Sequence, residues 1–138
     1  MIEIRNARKS YAAEVRIGPL NIDIPKAGIT SLIGPNGAGK STTLLMIGRL
    51  LNMDEGQIRV ANMDVRSTKS DDLAKILTIL RQENHFITRL TVRQLVGFGR
   101  FPHSKGRLTR EDEAIISKNI DFLELTELES RFLDELSG

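Results

Sequence analysis

Residues Gly34 to Ser41 have the types and the spacing that bind phosphate groups. They read GPNGAGKS and fit the pattern G-x-x-x-x-G-K-[ST], which is the P-loop pattern. Its glycines allow a tight turn in which successive backbone N–H groups point at one anion. Lys40 is predicted to reach the terminal phosphates of a nucleotide, and the Ser41 hydroxyl is predicted to hold Mg²⁺.

The sequence on either side of this loop predicts the elements that position it. Ile29 to Ile33 is apolar and β-branched, which predicts a buried strand. Ser41 to Leu51 predicts a helix whose N-terminus adds partial positive charge behind the phosphates. Alternating apolar residues between positions 2 and 24 predict two earlier strands. Further along the chain, a short strand is predicted at Gln57–Val60 and a helix is predicted to begin at Ser70. A second buried strand is predicted at Ile76–Leu80.

Beyond Gln82 the sequence changes to helices and loops. Thr91 opens one helix and Thr109 opens another, each with a capping-box partner three residues later. The segment Gly99–Gly106 between them is predicted to be a basic loop. The second helix is expected to bury an apolar stripe, which consists of Ile116, Ile120 and Leu123.

The composition excludes several classes of protein. The 138 residues are enough for one domain. A net charge of +2, with one Tyr and no Trp, gives no sign of a nucleic-acid partner. The absence of cysteine excludes disulfides and thiolate metal sites. His85 and His103 have no partner at ligand spacing, so surface roles are expected for both.

Four further features narrow the P-loop class. Tyr11 follows a short strand, Gln82 ends the predicted strand in LRQENH, TVRQLV begins at Thr91, and the last three residues are LSG. In that order the chain resembles the nucleotide-binding domain of ABC transporters. The resemblance implies an α/β P-loop fold of ABC type, truncated, with an antiparallel β subdomain and nucleotide-binding core over 1–85 and the start of a helical subdomain over 86–138.

The resemblance also implies roles for individual residues. Tyr11 would stack on adenine, whereas Gln82 would contact the attacking water and, together with Ser41, Mg²⁺. The implied ATP-binding residues are Tyr11, Gly34, Asn36, Gly37, Ala38, Gly39, Lys40, Ser41 and Thr42. Ser137 and Gly138 look like part of an LSGGQ signature, which would meet the ATP of an opposing copy. The Walker B strand, the catalytic glutamate and the switch histidine lie beyond the signature in this family, so the chain alone is expected not to hydrolyse ATP.

Within the family, Val96 to Glu113 is similar to ATPases of importers for iron–siderophores. The implied protein lies at the cytoplasmic face of the cell membrane, where it couples ATP hydrolysis to chelate uptake. Its implied partners are permease subunits and a second, head-to-tail copy, with no nucleic acid. One alternative is a soluble ABC ATPase acting on ribosomes or DNA, and another is a nucleotide-binding fragment with no activity of its own.

Two structural expectations follow from this interpretation. The strand at Ile29–Ile33 should have an unpaired apolar edge, which favours association or a rearranged sheet. The permease contact should lie between Gln82 and about Phe101, with Phe86 and Leu90 facing the partner. The alternative is that Phe86 and Leu90 pack on the core of this domain.

Overall fold

The computed structural model describes residues 1–11, 16–80 and 89–136. The chain divides into two compact units, Met1–Ile79 and Leu80–Gly138. The boundary expected between residues 85 and 86 falls outside the described residues and stays a prediction.

The first unit is built around an antiparallel sheet. Its strands are β1 (Ile2–Ser10), β2 (Arg16–Ile24), β3 (Glu55–Val60) and β4 (Met63–Asp64). They lie in the order β2-β1-β3-β4, and Ile2 of β1 faces Ile24 on one side and Val60 on the other. The early strands and the short strand after the P-loop helix are therefore confirmed.

Helices α1 (Lys40–Ile47) and α2 (Ser70–Ala74) complete the core of the first unit. The apolar stripe of α1 supplies Met46 and Ile47, which pack with sheet residues such as Ile4 and Ile58. The P-loop helix was predicted to continue to Leu51, but it ends at Ile47. The reason is local: Gly48 caps the helix, and the following residue, an arginine, has a left-handed φ of 54°.

The two predicted buried strands, Ile29–Ile33 and Ile76–Leu80, are wrong. Neither segment is a strand, and Ile29 and Ile33 are 99% and 92% exposed. Within the described ranges no backbone hydrogen bond is recorded for residues 29–33. A strand is held by the ladder to its neighbour, and none of the described strands lies beside this segment. High β propensity alone therefore does not make Ile29–Ile33 a strand, and its isoleucine side chains stay exposed to solvent.

The second unit is helical. It contains α3 (Val92–Phe98), α4 (Phe101–Ser104) and α5 (Arg110–Phe122), followed by 3-10 turns at Thr126–Leu128 and Leu133–Glu135. Both predicted capping boxes are confirmed, because Thr91 and Thr109 each exchange hydrogen bonds with the residue three positions later. Among the residues described, no helix combines the length and the apolarity needed to cross a bilayer.

Two expectations about the second unit need correction. The loop predicted over 99–106 contains α4, and Pro102 lies in the first turn of that helix, where its missing N–H costs nothing. Ile116 and Ile120 are buried as predicted, but Leu123 is exposed. Leu123 caps α5 instead of continuing it, so its side chain leaves the apolar stripe.

Candidate functional site

The phosphate-binding pattern forms an exposed loop that leads directly into α1. Gly37 and Gly39 have φ values of 83° and 87°, which side-chain-bearing residues rarely adopt. Gly39 is the N-cap of α1, and its carbonyl accepts the Thr43 backbone N–H at 2.8 Å and the Thr43 hydroxyl at 2.9 Å. The loop therefore has the left-handed turns that bring backbone N–H groups together in front of a helix N-terminus.

Gly39 is also where the loop meets the sheet. A Cβ atom placed on Gly39 would lie 2.7 Å from Cγ2 of Ile17, a residue of β2. Sequence analysis missed Ile17, because only the alternation of β2 marks it and nothing in that pattern links it to a loop in another part of the chain. The close contact fixes the loop against the edge of the sheet.

Lys40 turns its side chain back over the loop. Its ammonium Nζ donates to the carbonyl oxygens of Gly34 and Pro35, both at 2.8 Å. These acceptors are neutral, whereas a phosphate oxygen is charged and binds an ammonium more strongly. The positive charge is therefore held at the place where the loop would receive phosphate.

The end of β1 brings Tyr11 to the first turn of α1. The hydroxyl groups of Tyr11 and Thr42 lie 3.0 Å apart, and the tyrosine is exposed. Asp54 holds this end of the strand, accepting from Lys9 Nζ and from the backbone N–H of Ser10, each at 2.7 Å. The Lys9 hydrogen bond, followed by that from Ser10, lowers the pKa of Asp54. Sequence analysis missed this positioning role of Asp54.

The other predicted site residues are only partly placed. Asn36, Ala38 and Ser41 are exposed on the loop and on the first turn of α1. The Ser41 hydroxyl has no hydrogen-bond partner within the described part of the chain, so it is available as an oxygen ligand. In the same residues no group of three or more His, Asp or Glu could hold a metal ion. Gln82 lies outside the described residues.

The second unit contains an apolar groove between α3, α4 and α5. Its volume is about 460 Å³. Phe98 and Phe101 are each 55% exposed beside it. Its apolar lining consists of Leu90, Gly97, Phe98, Phe101, Leu108 and Ile116.

Charged groups fix the helices around this groove. Arg93 of α3 donates to Glu113 at 2.6 Å and to Glu129 at 2.8 Å, and these bonds raise the pKa of the guanidinium. The buried Asp112 accepts from the Thr109 backbone and hydroxyl and from Arg100. These bonds, in that order, lower the pKa of Asp112 to about 2. The carboxylate therefore joins α5 to the chain before α4 as a charged group.

Comparison with known proteins matches nearly the whole chain to one family. The profile of the family described as "ABC transporter" matches residues 17–138. The petrobactin import ATP-binding protein FatE of Bacillus anthracis is 80% identical over 138 residues, which are 100% of this chain and 55% of that protein. The petrobactin import ATP-binding protein YclP of Bacillus subtilis (strain 168) is 44% identical with the same coverage. The chain spans about half the length of these curated relatives.

A solved structure shares the fold. It is a dimeric ATP-binding cassette in a post-hydrolysis state bound to ADP and Pi. It matches with a TM-score of 0.78 and 26% identity, over 99% of this chain and 63% of that one. A protein with this fold therefore binds a nucleotide and forms a dimer.

Proposed function

This chain belongs to the ABC transporter family, and we propose that the whole protein is the ATP-binding subunit of an importer. It would couple ATP binding and hydrolysis to uptake of an iron–siderophore or a related chelate. The names of the two relatives described above, both petrobactin import proteins, support this substrate class. Because those relatives are import proteins, they give no support to the alternative of an ATPase acting on ribosomes or DNA.

The observation that carries the proposal is the geometry of the phosphate loop. Two left-handed glycines, Gly37 and Gly39, shape it, and Lys40 holds an ammonium over its carbonyls. Phosphoryl transfer depends mostly on positioning and on stabilising negative charge. In the proposed complex the loop N–H groups and Lys40 hold the β- and γ-phosphates of ATP, which replace the two carbonyl oxygens as acceptors for the ammonium.

The neighbouring residues supply the rest of the proposed ATP site. Tyr11 presents an exposed ring for stacking on adenine, and its contact with Thr42 sets the distance of that ring from the loop. The exposed hydroxyl of Ser41 fits a hard cation, and Mg²⁺ would be held by Ser41 and Gln82. When bound, Mg²⁺ neutralises charge on the phosphates. Gln82 would also orient the attacking water.

The proposed assembly contains two copies and a membrane partner. The dimeric cassette described above supports a pair of copies. In the proposed pair, the signature that begins at Leu136 would face the ATP of the partner copy. The permease subunits would place the protein at the cytoplasmic face of the membrane.

Substitution of Lys40 tests the phosphate site directly. We expect Lys40→Ala to weaken the binding of a fluorescent ATP analogue to this chain by about 10- to 100-fold, the range of one charge-assisted hydrogen bond. Fluorescence titration measures this affinity. Lys118→Ala, which removes an exposed lysine of α5, is the matched control and should bind as the wild type does. Equal affinities of the wild type and Lys40→Ala would contradict the proposed site.

The permease contact is proposed to be the apolar groove of the second unit. Contiguous exposed apolar surface often marks an interaction site. Phe98 and Phe101 are each 55% exposed along the groove, and Leu90 lines it too. These three residues belong to the segment in which the contact was expected, residues 82 to about 101, whereas Leu108 and Ile116 of the lining lie beyond it. The proposed occupant is a short cytoplasmic helix of the permease with an apolar face. Phe86, which was expected on this surface, lies outside the described residues.

The double substitution Phe98→Ala with Phe101→Ala tests this contact. Removing two anchor side chains should reduce the amount of permease that co-purifies with the whole protein by about tenfold or more. ATP binding should persist, because the phosphate loop is unchanged. Phe122→Ala is the control, since Phe122 is 81% exposed and lies outside the groove. Normal recovery of permease with the double variant would show that the contact lies elsewhere.

A further inference from the structure

Strand β1 contains an extra residue near its middle. Its register with β3 shifts between Arg5 and Arg8, and its register with β2 shifts between Ile4 and Ala7. At each shift two residues of β1 lie opposite one residue of the neighbouring strand, which is a β-bulge. A later shift against β2 gives the extra residue to β2 instead. Asn6 lies within both shifts of β1 and has a left-handed φ of 50°.

Both neighbouring strands fit this bulge. The backbone N–H of Asn6 donates to Oδ1 of Asn21 on β2 at 2.9 Å, so a side chain supplies the acceptor. On β3, a Cβ atom placed on Gly56 would meet the carbonyl oxygen of Asn6 and would lie 2.6 Å from Cα of Ala7. Asparagine also adopts a left-handed φ more readily than most residues that have a side chain. The bulge is therefore held by its own residue type and by its surroundings.

The bulge decides which face the end of β1 presents to α1. Side chains of a regular strand alternate between two faces, so Ile4 and Tyr11, an odd number of positions apart, would lie on opposite faces. The extra residue shifts the alternation by one. Ile4 and Ala7 are both fully buried, in the core that contains Met46 of α1. Tyr11 is an even number of positions beyond Ala7, and its hydroxyl lies 3.0 Å from that of Thr42 in α1.

A contact between the bulge and Tyr11 agrees with this assignment of faces. Lys9 is paired with Ile17 of β2, and residues directly opposite each other on two strands share a face. Ile17 is the residue that Gly39 of the phosphate loop approaches. Lys9 therefore lies on the face of the sheet that meets the phosphate loop, and Tyr11, two positions later, follows it there.

We propose that Asn6 is a positioning residue for nucleotide binding: by holding the extra residue of β1, it turns the ring of Tyr11 toward the first turn of α1. The inference rests on the proposed function, in which Tyr11 stacks on adenine. Without the bulge, the same sequence would place Tyr11 on the face that points away from α1, or would lose its pairing beyond Asn6. Asn6 itself contacts no nucleotide and acts through Tyr11.

Nuclear Overhauser contacts between the ring of Tyr11 and the methyl group of Thr42 test the face without any nucleotide. Tyr11 is the only tyrosine of this chain, so its ring signals are assigned directly. Asn6→Val should lose these contacts, because a β-branched residue disfavours a left-handed φ. Asn6→Gly should keep them, because glycine adopts that φ and keeps the N–H that Asn21 accepts.

Deletion of Asn6 separates the face of the strand from the asparagine itself. The deletion removes the extra residue, so β1 would alternate regularly, with Ala7 still opposite Leu20 and Tyr11 still on the α1 face. We therefore expect the deletion variant to fold and to keep the contacts, although Asn6→Val loses them. If Asn6→Val does not fold, the deletion variant decides alone.

Asn62→Val is the matched control. Asn62 is also an exposed asparagine with a left-handed φ, 67°, but it lies in the turn between β3 and β4. Its substitution adds a similar backbone cost and should leave the contacts of Tyr11 intact. The inference would be overturned if the contacts survived in Asn6→Val. It would also be overturned by a deletion variant that unfolds, or that folds and loses the contacts.

Calorimetric titration of the whole protein with two ligands tests the role in nucleotide binding. ATP has a base that can stack on Tyr11, whereas inorganic tripolyphosphate has only the phosphates. Asn6→Val should weaken ATP binding by about 5- to 100-fold, the range of one stack between a base and an aromatic ring. Binding of tripolyphosphate should change by less than about twofold, because the phosphate loop is untouched. Unchanged ATP binding, or equal weakening of both ligands, would overturn the role.

The failure of the proposed function gives a different pattern from the failure of this inference. A wild-type protein that binds neither ATP nor tripolyphosphate would overturn the proposed function. The Overhauser contacts would still decide whether Asn6 sets the face of Tyr11. A wild type that binds both ligands, with both weakened equally in Asn6→Val, would overturn the inference alone.

Discussion

In solution this chain is expected to self-associate through residues 29–33, giving particles heavier than the 15.4 kDa monomer. The segment is neither helix nor strand, and Ile29 and Ile33 are almost fully exposed. Within the ranges 1–11, 16–80 and 89–136 its backbone makes no hydrogen bond. An exposed apolar, β-branched segment whose N–H and C=O groups lack such bonds is a template for pairing with another chain. We expect the segments of two copies to pair with each other.

Sedimentation velocity over a range of concentrations measures this association. The wild type should gain mass as its concentration rises, whereas Ile29→Lys with Ile33→Lys should remain a monomer, because the charges repel and cannot be buried. Leu50→Lys with Leu123→Lys is the matched control, because it adds the same charges at two exposed leucines outside this segment, and it should still associate. A wild-type monomer at all concentrations, with a sharp thermal transition, would contradict the expectation.

The same segment shows why part of the fold could not be predicted from the sequence. Ile29–Ile33 has the apolar, β-branched composition of a buried strand, and Ile76–Leu80 resembles it. The composition of a segment indicates whether its side chains tend to be buried. A strand also needs a neighbouring strand that is close enough for backbone hydrogen bonds. The described strands pair only in the β2-β1-β3-β4 sheet, which leaves neither segment a partner. Predictions that needed only local sequence, such as the capping boxes at Thr91 and Thr109, are confirmed.

The residues of the candidate site likewise fall into those that could be predicted from the sequence and those that could not. The phosphate loop is contiguous in the sequence, so its turns and the helix behind it could be predicted from the pattern. Ile17 and Asp54 come from other parts of the chain, and no pattern in the sequence around either residue indicates that it belongs to the site. Their contacts with Gly39 and with the end of β1 depend on how β2 and β3 lie beside β1. That arrangement follows from packing, which periodicity does not specify.

Gly39→Ala is expected to be the most damaging small substitution in the phosphate loop. The left-handed φ of 87° at Gly39 costs a side-chain-bearing residue roughly 1–2 kcal/mol. The new Cβ would also lie 2.7 Å from Cγ2 of Ile17. Moving a β-branched side chain out of its rotamer adds about 1 kcal/mol. We therefore expect a loss of about 2–3 kcal/mol in the free energy of unfolding, together with loss of detectable ATP binding, because the loop N–H groups turn away from the phosphates.

Gly37→Ala separates the cost of the backbone conformation from the cost of the clash with Ile17. Gly37 has a similar φ of 83°, but no atom lies within 4 Å of a Cβ placed there. Gly37→Ala should therefore lower the free energy of unfolding only by the conformational cost. Urea unfolding in the background of Ile29→Lys with Ile33→Lys, which should keep the chain monomeric, measures both variants. Adding Ile17→Ala to Gly39→Ala removes the side chain that the new Cβ would meet, so the double variant should recover the steric share of the lost free energy. The effects of the two changes should therefore be non-additive. Equal losses for Gly37→Ala and Gly39→Ala, with no such coupling, would show that Ile17 does not hold the loop and that backbone conformation alone decides its stability.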